Sequence, residues 1–448
     1  MLCYNSVLAE ESMDFNSLLW ALPFAGIILS MSFMPLMCPQ FWEKYSGYIP
    51  LGWTIIYLTA VYFLFSPVHA FNAVCHPLLS DYVSFIVQIA TLYIVAGGIY
   101  IDFPNGKGPI FNTIFLAFGS LLAGWIGTTG ASMLLIRPFL RSNQKRKHKV
   151  HLVMFFIFLV ANIGGVATPL GDPPLFIGFL KGVDFFWFIK HLYPFLFGAI
   201  FGLCALFYAV DSYLFKKETG HFEFSRDNAV FEIKGFRNLL LLILVLLTVI
   251  LCEFDGTFKF LGEDYKYSSF LRNVILCLIS LVSIKATHKV VRENNEFTMA
   301  PIKEVAEFFI AIFITVAPIL SILEQGTKGP LASIFHWIAP NGEFVLDKCF
   351  WASGLLSSLL DNAPTFLIFF HMTSGNAVEL MTTKAAILAS FSIATVFMGG
   401  LTYIGNAPNL MIRSISTANG IKMPSFLGYL VWSAGILVPV LFIVSWFL

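Results

Sequence analysis

The sequence predicts an all-α polytopic membrane protein of about ten transmembrane helices plus two re-entrant hairpins, arranged as two inverted repeats. Three observations carry that expectation. Of the 448 residues, 58% are hydrophobic and only 12% charged, about half the charged fraction of an ordinary soluble domain. The apolar residues gather into blocks of roughly 20, the length that spans a hydrocarbon core as helix. Two polar motifs rich in Gly and Pro recur in the same order about half a chain apart.

The net charge of +1, from 27 basic and 26 acidic residues, argues against disordered tails and nucleic-acid binding, which need an excess of one sign. Seven cysteines are scattered singly, without a Cys-x-x-Cys pair, so neither a zinc site nor a disulfide framework is suggested and no cofactor is expected.

The first block, 15–37, is too long for the apolar region of a signal peptide, follows an acidic start (Glu10, Glu11, Asp14) and lacks a cleavage site, so it is expected to remain as the first span. Further blocks run near 48–66, 82–101, 111–136, 150–179, 187–214, 238–253, 269–286, 305–323, 350–372, 384–416 and 427–448. Block 111–136 is interrupted at Gly127-Thr128-Thr129-Gly130 and block 350–372 at Asp361-Asn362-Ala363-Pro364, which suits hairpins that enter and leave on one side. Blocks 150–179 and 384–416 are over-long for a single span and are broken by Gly and Pro. With both hairpins re-entrant, ten crossings remain. An N-terminus outside then puts 19 of the 27 Lys and Arg residues on the cytoplasmic side. The expected division is a first repeat at 1–214, a cytoplasmic linker at 215–237 and a second repeat at 238–448.

The repeat is legible as an offset. Residues 128–136 align with 361–369 at 233, and 171–177 with 405–411 at 234, each of the latter pair following a Gly-Gly step (Gly164-Gly165, Gly399-Gly400). In this topology the hairpins enter from opposite sides. Interrupted segments paired between inverted halves point to a secondary transporter's site at mid-membrane, because unwound backbone at that depth survives only in protein or beside a wet cavity. Half-helix N-termini there present partial positive charge to anions, and freed carbonyls present oxygen to cations.

Asp172 and Asp361 are the carboxylates in the broken segments, and an ionisable group at mid-bilayer costs about 2.5–3.5 kcal/mol on insertion scales. Such a group can exchange a proton for a cation; alternatively it caps a half-helix. Thr128, Thr129, Ser132, Asn162, Thr168, Asn362, Thr365, Thr402, Asn406 and Asn409 supply the neutral oxygens and amides that sodium or a carboxylate would need, although Ser and Thr in membrane helices also bond to backbone. Arg137 and Arg413 each lie a few residues past a motif, where they bind an anion or snorkel to the cytoplasmic interface. The histidines show no metal-ligand spacing.

The segment Asn162-Ile163-Gly164-Gly165-Val166-Ala167-Thr168-Pro169-Leu170-Gly171-Asp172 and the tip Asp361-Asn362-Ala363-Pro364-Thr365 resemble motifs of the ion transporter superfamily, which includes citrate and dicarboxylate carriers, arsenite permeases and a branch of sodium/proton antiporters. The first is similar to the antiporter signature, the second to a tip shared by antiporter and arsenite branches, and the likeness spans roughly 20–445. It implies an elevator-like alternating-access cycle, a site built from the two hairpins and the broken helices after them, and a homodimer through scaffold helices. Carboxylate carriers of the superfamily have Ser-Asn-Thr at both tips, where this chain has Gly127-Thr128-Thr129 and Asp361-Asn362-Ala363.

The expectation is therefore a bacterial-type inner-membrane transporter in the lipid bilayer, exchanging sodium for protons through Asp172 and Asp361. A cation-coupled carrier of citrate, another carboxylate or arsenite is the alternative. An intramembrane enzyme with an aspartate acid/base pair is a third reading, against which the chain shows no Gly-x-Ser-x-Gly or His-Glu-x-x-His pattern.

Overall fold

The computed structural model describes residues 15, 17–103, 108–218, 232–260 and 263–448. Glu10, Glu11, Asp14 and most of the 215–237 linker lie outside the described residues.

The chain opens with α1 (Leu22–Met37), α2 (Pro39–Tyr45) and α3 (Tyr48–Leu64); Pro39 sits in the first turn of α2, where its missing N–H is no loss. Ser66 caps α4 (Pro67–Pro77) by accepting from the His69 amide, and a π-helical turn at Leu78–Tyr82 carries α4 into α5 (Val83–Ala96), making one apolar rod from Pro67 to Ala96. The strand β1 (Tyr100–Asp102) leads to α6 (Pro109–Ile126) and α7 (Thr128–Ser142). Next come α8 (Val150–Leu159), a 3-10 turn at Ile163–Ala167, α9 (Pro173–Leu180) and the long α10 (Phe185–Glu218). At 34 residues α10 is about 50 Å long, well beyond a hydrocarbon core.

The strand β2 (Glu232–Lys234) pairs antiparallel with β1, and α11 (Phe236–Leu251), the hairpin β3 (Thr257–Phe260) and β4 (Glu263–Lys266), α12 (Tyr267–Ala286) and α13 (Lys289–Asn294) follow. A 42° bend joins α14 (Ala300–Thr315) to α15 (Ala317–Glu324). The chain ends with α16 (Ala332–Ile338), α17 (Leu346–Leu359), α18 (Asn362–Thr373), α19 (Ala377–Met381), α20 (Ala385–Met398), a 3-10 turn at Gly399–Leu401, α21 (Ala407–Ala418) and α22 (Phe426–Trp446). The fold is helical as expected, with two short ladders that the all-α reading lacked; both lie in connecting segments.

Among the described residues, seven helices are long and apolar enough to cross a membrane, or eight if the bent pair is one span. Six of the seven, the bent pair and three apolar but shorter helices, Tyr48–Leu64, Phe236–Leu251 and Ala385–Leu401, overlap the ten expected crossings, whereas the seventh, Pro109–Ile126, is the first arm of the interrupted block 111–136. The outside of the bundle is apolar. On α11, Leu240, Ile243, Leu244, Leu247 and Leu251 form an exposed stripe at helical spacing, while Asn238, Val245, Thr248 and Val249 face inward. This arrangement of apolar surface and polar interior suits lipid rather than water. By contrast α8 is buried on all sides.

Both interrupted blocks fold back on themselves. Gly127, at φ +83°, makes the sharp turn between α6 and α7, a conformation that costs glycine no steric penalty. At the other end of these arms Asn112 and Asn143 exchange side-chain hydrogen bonds of 2.9 Å in each direction. For α17 and α18, Lys384 joins the two ends: its ammonium donates to the Thr373 carbonyl at 2.7 Å and lies 5.8 Å from the Phe344 ring centroid. Close packing needs small residues too. A Cβ on Gly164 would stand 2.1 Å from the Ser120 carbonyl oxygen, so only glycine lets the 3-10 turn lie against α6.

The open end of the first hairpin is anchored to α10 by buried charge. Arg146 pairs with Asp211 at 2.6 Å and with Glu218 at 2.7 Å, while His151 and Asn112 also reach Asp211 at 2.9 and 3.1 Å. Removing one member of a buried ionic set strands the others, at about 3–5 kcal/mol. Asp211→Ala is expected to lower the melting temperature of the detergent-solubilised protein sharply, and unchanged melting would show that the cluster does not anchor the hairpin.

Candidate functional site

The break after α8 exists because Asn162, Gly164, Gly165, Pro169, Gly171 and Pro173 cannot sustain a helix together, the glycines through backbone entropy and the prolines through their missing N–H. The break between α20 and α21 has the same character, with Gly399, Gly400, Gly405 and Pro408. Each is pinned to its hairpin by one hydroxyl. Thr168 donates to the Gly124 carbonyl and Thr402 to the Ser358 carbonyl, both at 2.5 Å. Donor and acceptor alike are 234 residues apart between these two bonds.

That offset also fits the tips. Thr128 is the first residue of α7 and Asn362 the first of α18, again 234 apart. The 233 alignment of the tips is therefore one residue out of register. It matched Thr128 to Asp361 by polarity, whereas the structure matches the two helix starts and places Asp361 opposite Gly127.

The four breaks meet at Asp172. Its carboxylate accepts from the Thr128 hydroxyl at 2.6 Å, from the Asn362 amide, and from the Asn406 amide at 3.3 Å, and the residue is 2% exposed. Asp172 is the N-cap position of α9 and Asn406 that of α21, while Thr128 and Asn362 open α7 and α18. Four helix N-termini thus converge, each with a partial charge of up to about half a proton, which offsets part of the cost of enclosing an ionised group.

Asp361 has a different position. Its side chain caps α18, accepting from the Ala363 amide at 3.2 Å, and it lines a cavity of about 400 Å³ enclosed by α1, α14, α21 and the two tips, together with Thr129, Glu304 and Ser414. A second cavity, about 40 Å³, adjoins Asp172 between α5 and the first tip, and Thr129 lines both. Neither wall contains Lys or Arg. Arg137 is engaged by Glu296 at 2.9 Å and Arg413 lies over the Tyr403 ring at 4.7 Å.

The remaining candidates divide by what their polar atoms touch. Thr168 and Thr402 are the pins already described, each also accepting from backbone amides of its own break. Asn162 donates to Asn409 at 2.9 Å, and Asn409 donates to the carbonyls of Gly399 and Thr402, both at 2.9 Å, so the two asparagines tie one break to the other. Thr365 donates back to the Asp361 carbonyl within its own helix. Ser132 Oγ and Asn362 Oδ1 are buried without a partner. Two residues of interest, Gln88 and Glu304, were not among the candidates. Each stands in or beside an apolar block, a signal present in the sequence but attached to no motif.

These contacts separate architecture from chemistry. Asn409→Leu strands two carbonyls and one of the two N–H groups of the Asn162 amide, the other still donating to the Ile157 carbonyl, at about 1–3 kcal/mol for each unsatisfied group, and is expected to reduce the yield and melting temperature of extracted protein. Thr365→Val removes a bond inside one helix and is expected to change melting little. The reverse order would contradict the division.

A family model described as "Putative citrate transport" matches residues 13–448, and the chain belongs to that family. No curated protein matches it. With its apolar helices, the chain is a multi-pass membrane protein of a transport family.

Proposed function

We propose that the protein is a secondary active transporter exchanging sodium for protons at Asp172. The observation that supports this most is the convergence of Thr128, Asn362 and Asn406 on one buried carboxylate, beside cavities whose walls carry no basic side chain. A carboxylate binds a proton or a cation in competition. Sodium displacing the proton would be met by the Asp172 oxygens, the Thr128 hydroxyl and the unpartnered Asn362 Oδ1, hard oxygen donors of the kind such cations require. Asp361 and Glu304, on the larger cavity, attract cations toward the site. In this reading the two halves are inverted repeats with ten crossings, moving as an elevator in an inner-membrane homodimer, with the N-terminus outside.

Cation-coupled uptake of citrate or another carboxylate is the second reading, favoured by the family's description and by the four helix N-termini, whose field is open to an anion once a cation or proton neutralises Asp172.

In proteoliposomes, sodium should dissipate a preformed pH gradient, and Asp172→Asn should abolish the response; an undiminished response in the variant overturns the assignment. Labelled citrate entering in a sodium-dependent manner, without sodium-driven proton movement, would favour the second reading. Glu304→Gln is expected to raise the half-saturating sodium concentration about two- to fivefold at low ionic strength and less at high salt, as an attracting charge at a cavity wall should. A loss of maximal rate at unchanged half-saturation would show that Glu304 does something else.

A further inference from the structure

Gln88 lies in the middle of α5, 1% exposed, and both its amide nitrogen and its amide oxygen lack a hydrogen-bond partner. Among the described residues it is the only buried amide with both ends unpartnered. A buried amide left unpaired costs free energy that an apolar residue of similar size would not. The neighbouring polar groups of α5 are not in that condition. Ser84 accepts from Asn273 at 3.0 Å, and Thr91 donates to the Val87 carbonyl at 2.7 Å and accepts from Ser280 at 3.0 Å.

The side chain has a destination. Gln88 lines the cavity of about 40 Å³ that also contains Thr128, Thr129, Gly171 and Asp172. A water needs roughly 10–15 Å³ of such space, so the cavity has room for a small ion keeping one or two waters.

We propose that Gln88 is a direct ligand of the transported species at Asp172, its Oε1 coordinating a small, largely dehydrated monovalent cation, and that it sets the preference for sodium and lithium over potassium. The assignment rests on the cation-exchange reading above. It adds a ligand from a continuous helix to a site otherwise built from broken ones. The cation sits between the Asp172 carboxylate and the Gln88 amide oxygen, while the Gln88 N–H group donates to the water the ion retains.

The test is ligand-induced thermal stabilisation of the full-length protein in detergent, titrated with sodium, lithium and potassium chlorides and with choline citrate, against choline chloride at equal ionic strength. The wild type should be stabilised by sodium and lithium, and Asp172→Asn should not respond. Gln88→Leu should melt at or above the wild-type temperature without ligand and require at least about tenfold more sodium for half-maximal stabilisation, with its preference over potassium reduced. Gln88→Met, unbranched and apolar, is the second variant. An unchanged sodium titration in either variant overturns the assignment while leaving the cation-exchange reading intact. Failure of both variants to fold would make the amide structural and also overturn it. Stabilisation by citrate alone would overturn the exchange reading and, with it, the cation-ligand role. A wild type silent to every ligand would overturn both.

Discussion

A polar group enclosed in an apolar interior must be answered by another polar group, and in this protein four interrupted helices answer at one carboxylate. Asp172 sits where α7, α9, α18 and α21 all begin, accepting from Thr128, Asn362 and Asn406. Neither hairpin tip nor either break could remain unwound alone, since free backbone amides away from water cost several kcal/mol apiece. Their mutual contacts, among them the Thr128 amide donating to the Gly171 carbonyl at 2.7 Å, accommodate irregular backbone inside a membrane-sized bundle and enclose the Asp172 carboxylate.

Around that centre the architecture uses small residues and hydroxyls to bring backbones together. Gly164 against Ser120 and Gly405 against Gly399 permit backbone approaches that any Cβ would obstruct. Thr168 and Thr402 convert those approaches into hydrogen bonds at matching positions in the two halves. The Asn162–Asn409 pair then joins one break to the other. Farther out, the Arg146–Asp211–Glu218 cluster fixes the first hairpin's open end to α10, leaving the tips to be positioned by their contacts with each other.

Much of this was legible in the sequence. Gly127-Thr128-Thr129-Gly130 and Asp361-Asn362-Ala363-Pro364 stand out because polar and helix-breaking residues interrupt apolar blocks, and Asp172 and Asn406 stand out because each follows glycines and precedes proline. Partnership was not legible. Which hydroxyl pins a carbonyl depends on a strand of chain 44 residues away, as with Thr168 and Gly124, and composition assigns Thr128 and Thr168 the same chemistry. The one-residue register error at the tips arose from matching polar types where helix starts decide. Gln88 and Glu304 carried a signal, a lone polar residue in or beside an apolar block, but nothing in local spacing distinguishes such a residue from one satisfied by a neighbouring helix, as Thr91 is. Ladders of three and four residues, such as β1 with β2, are too short for periodicity to reveal.

The most direct test of this account is whether the two hairpin tips meet. In native membranes, with the endogenous cysteines replaced, Thr128→Cys and Asn362→Cys can be introduced together and treated with a short bifunctional thiol reagent, and the linked peptides identified by mass spectrometry. Convergence on Asp172 requires a cross-link between the peptides containing positions 128 and 362. Two thiols that each react with a monofunctional reagent yet never cross-link would place the tips apart and contradict it.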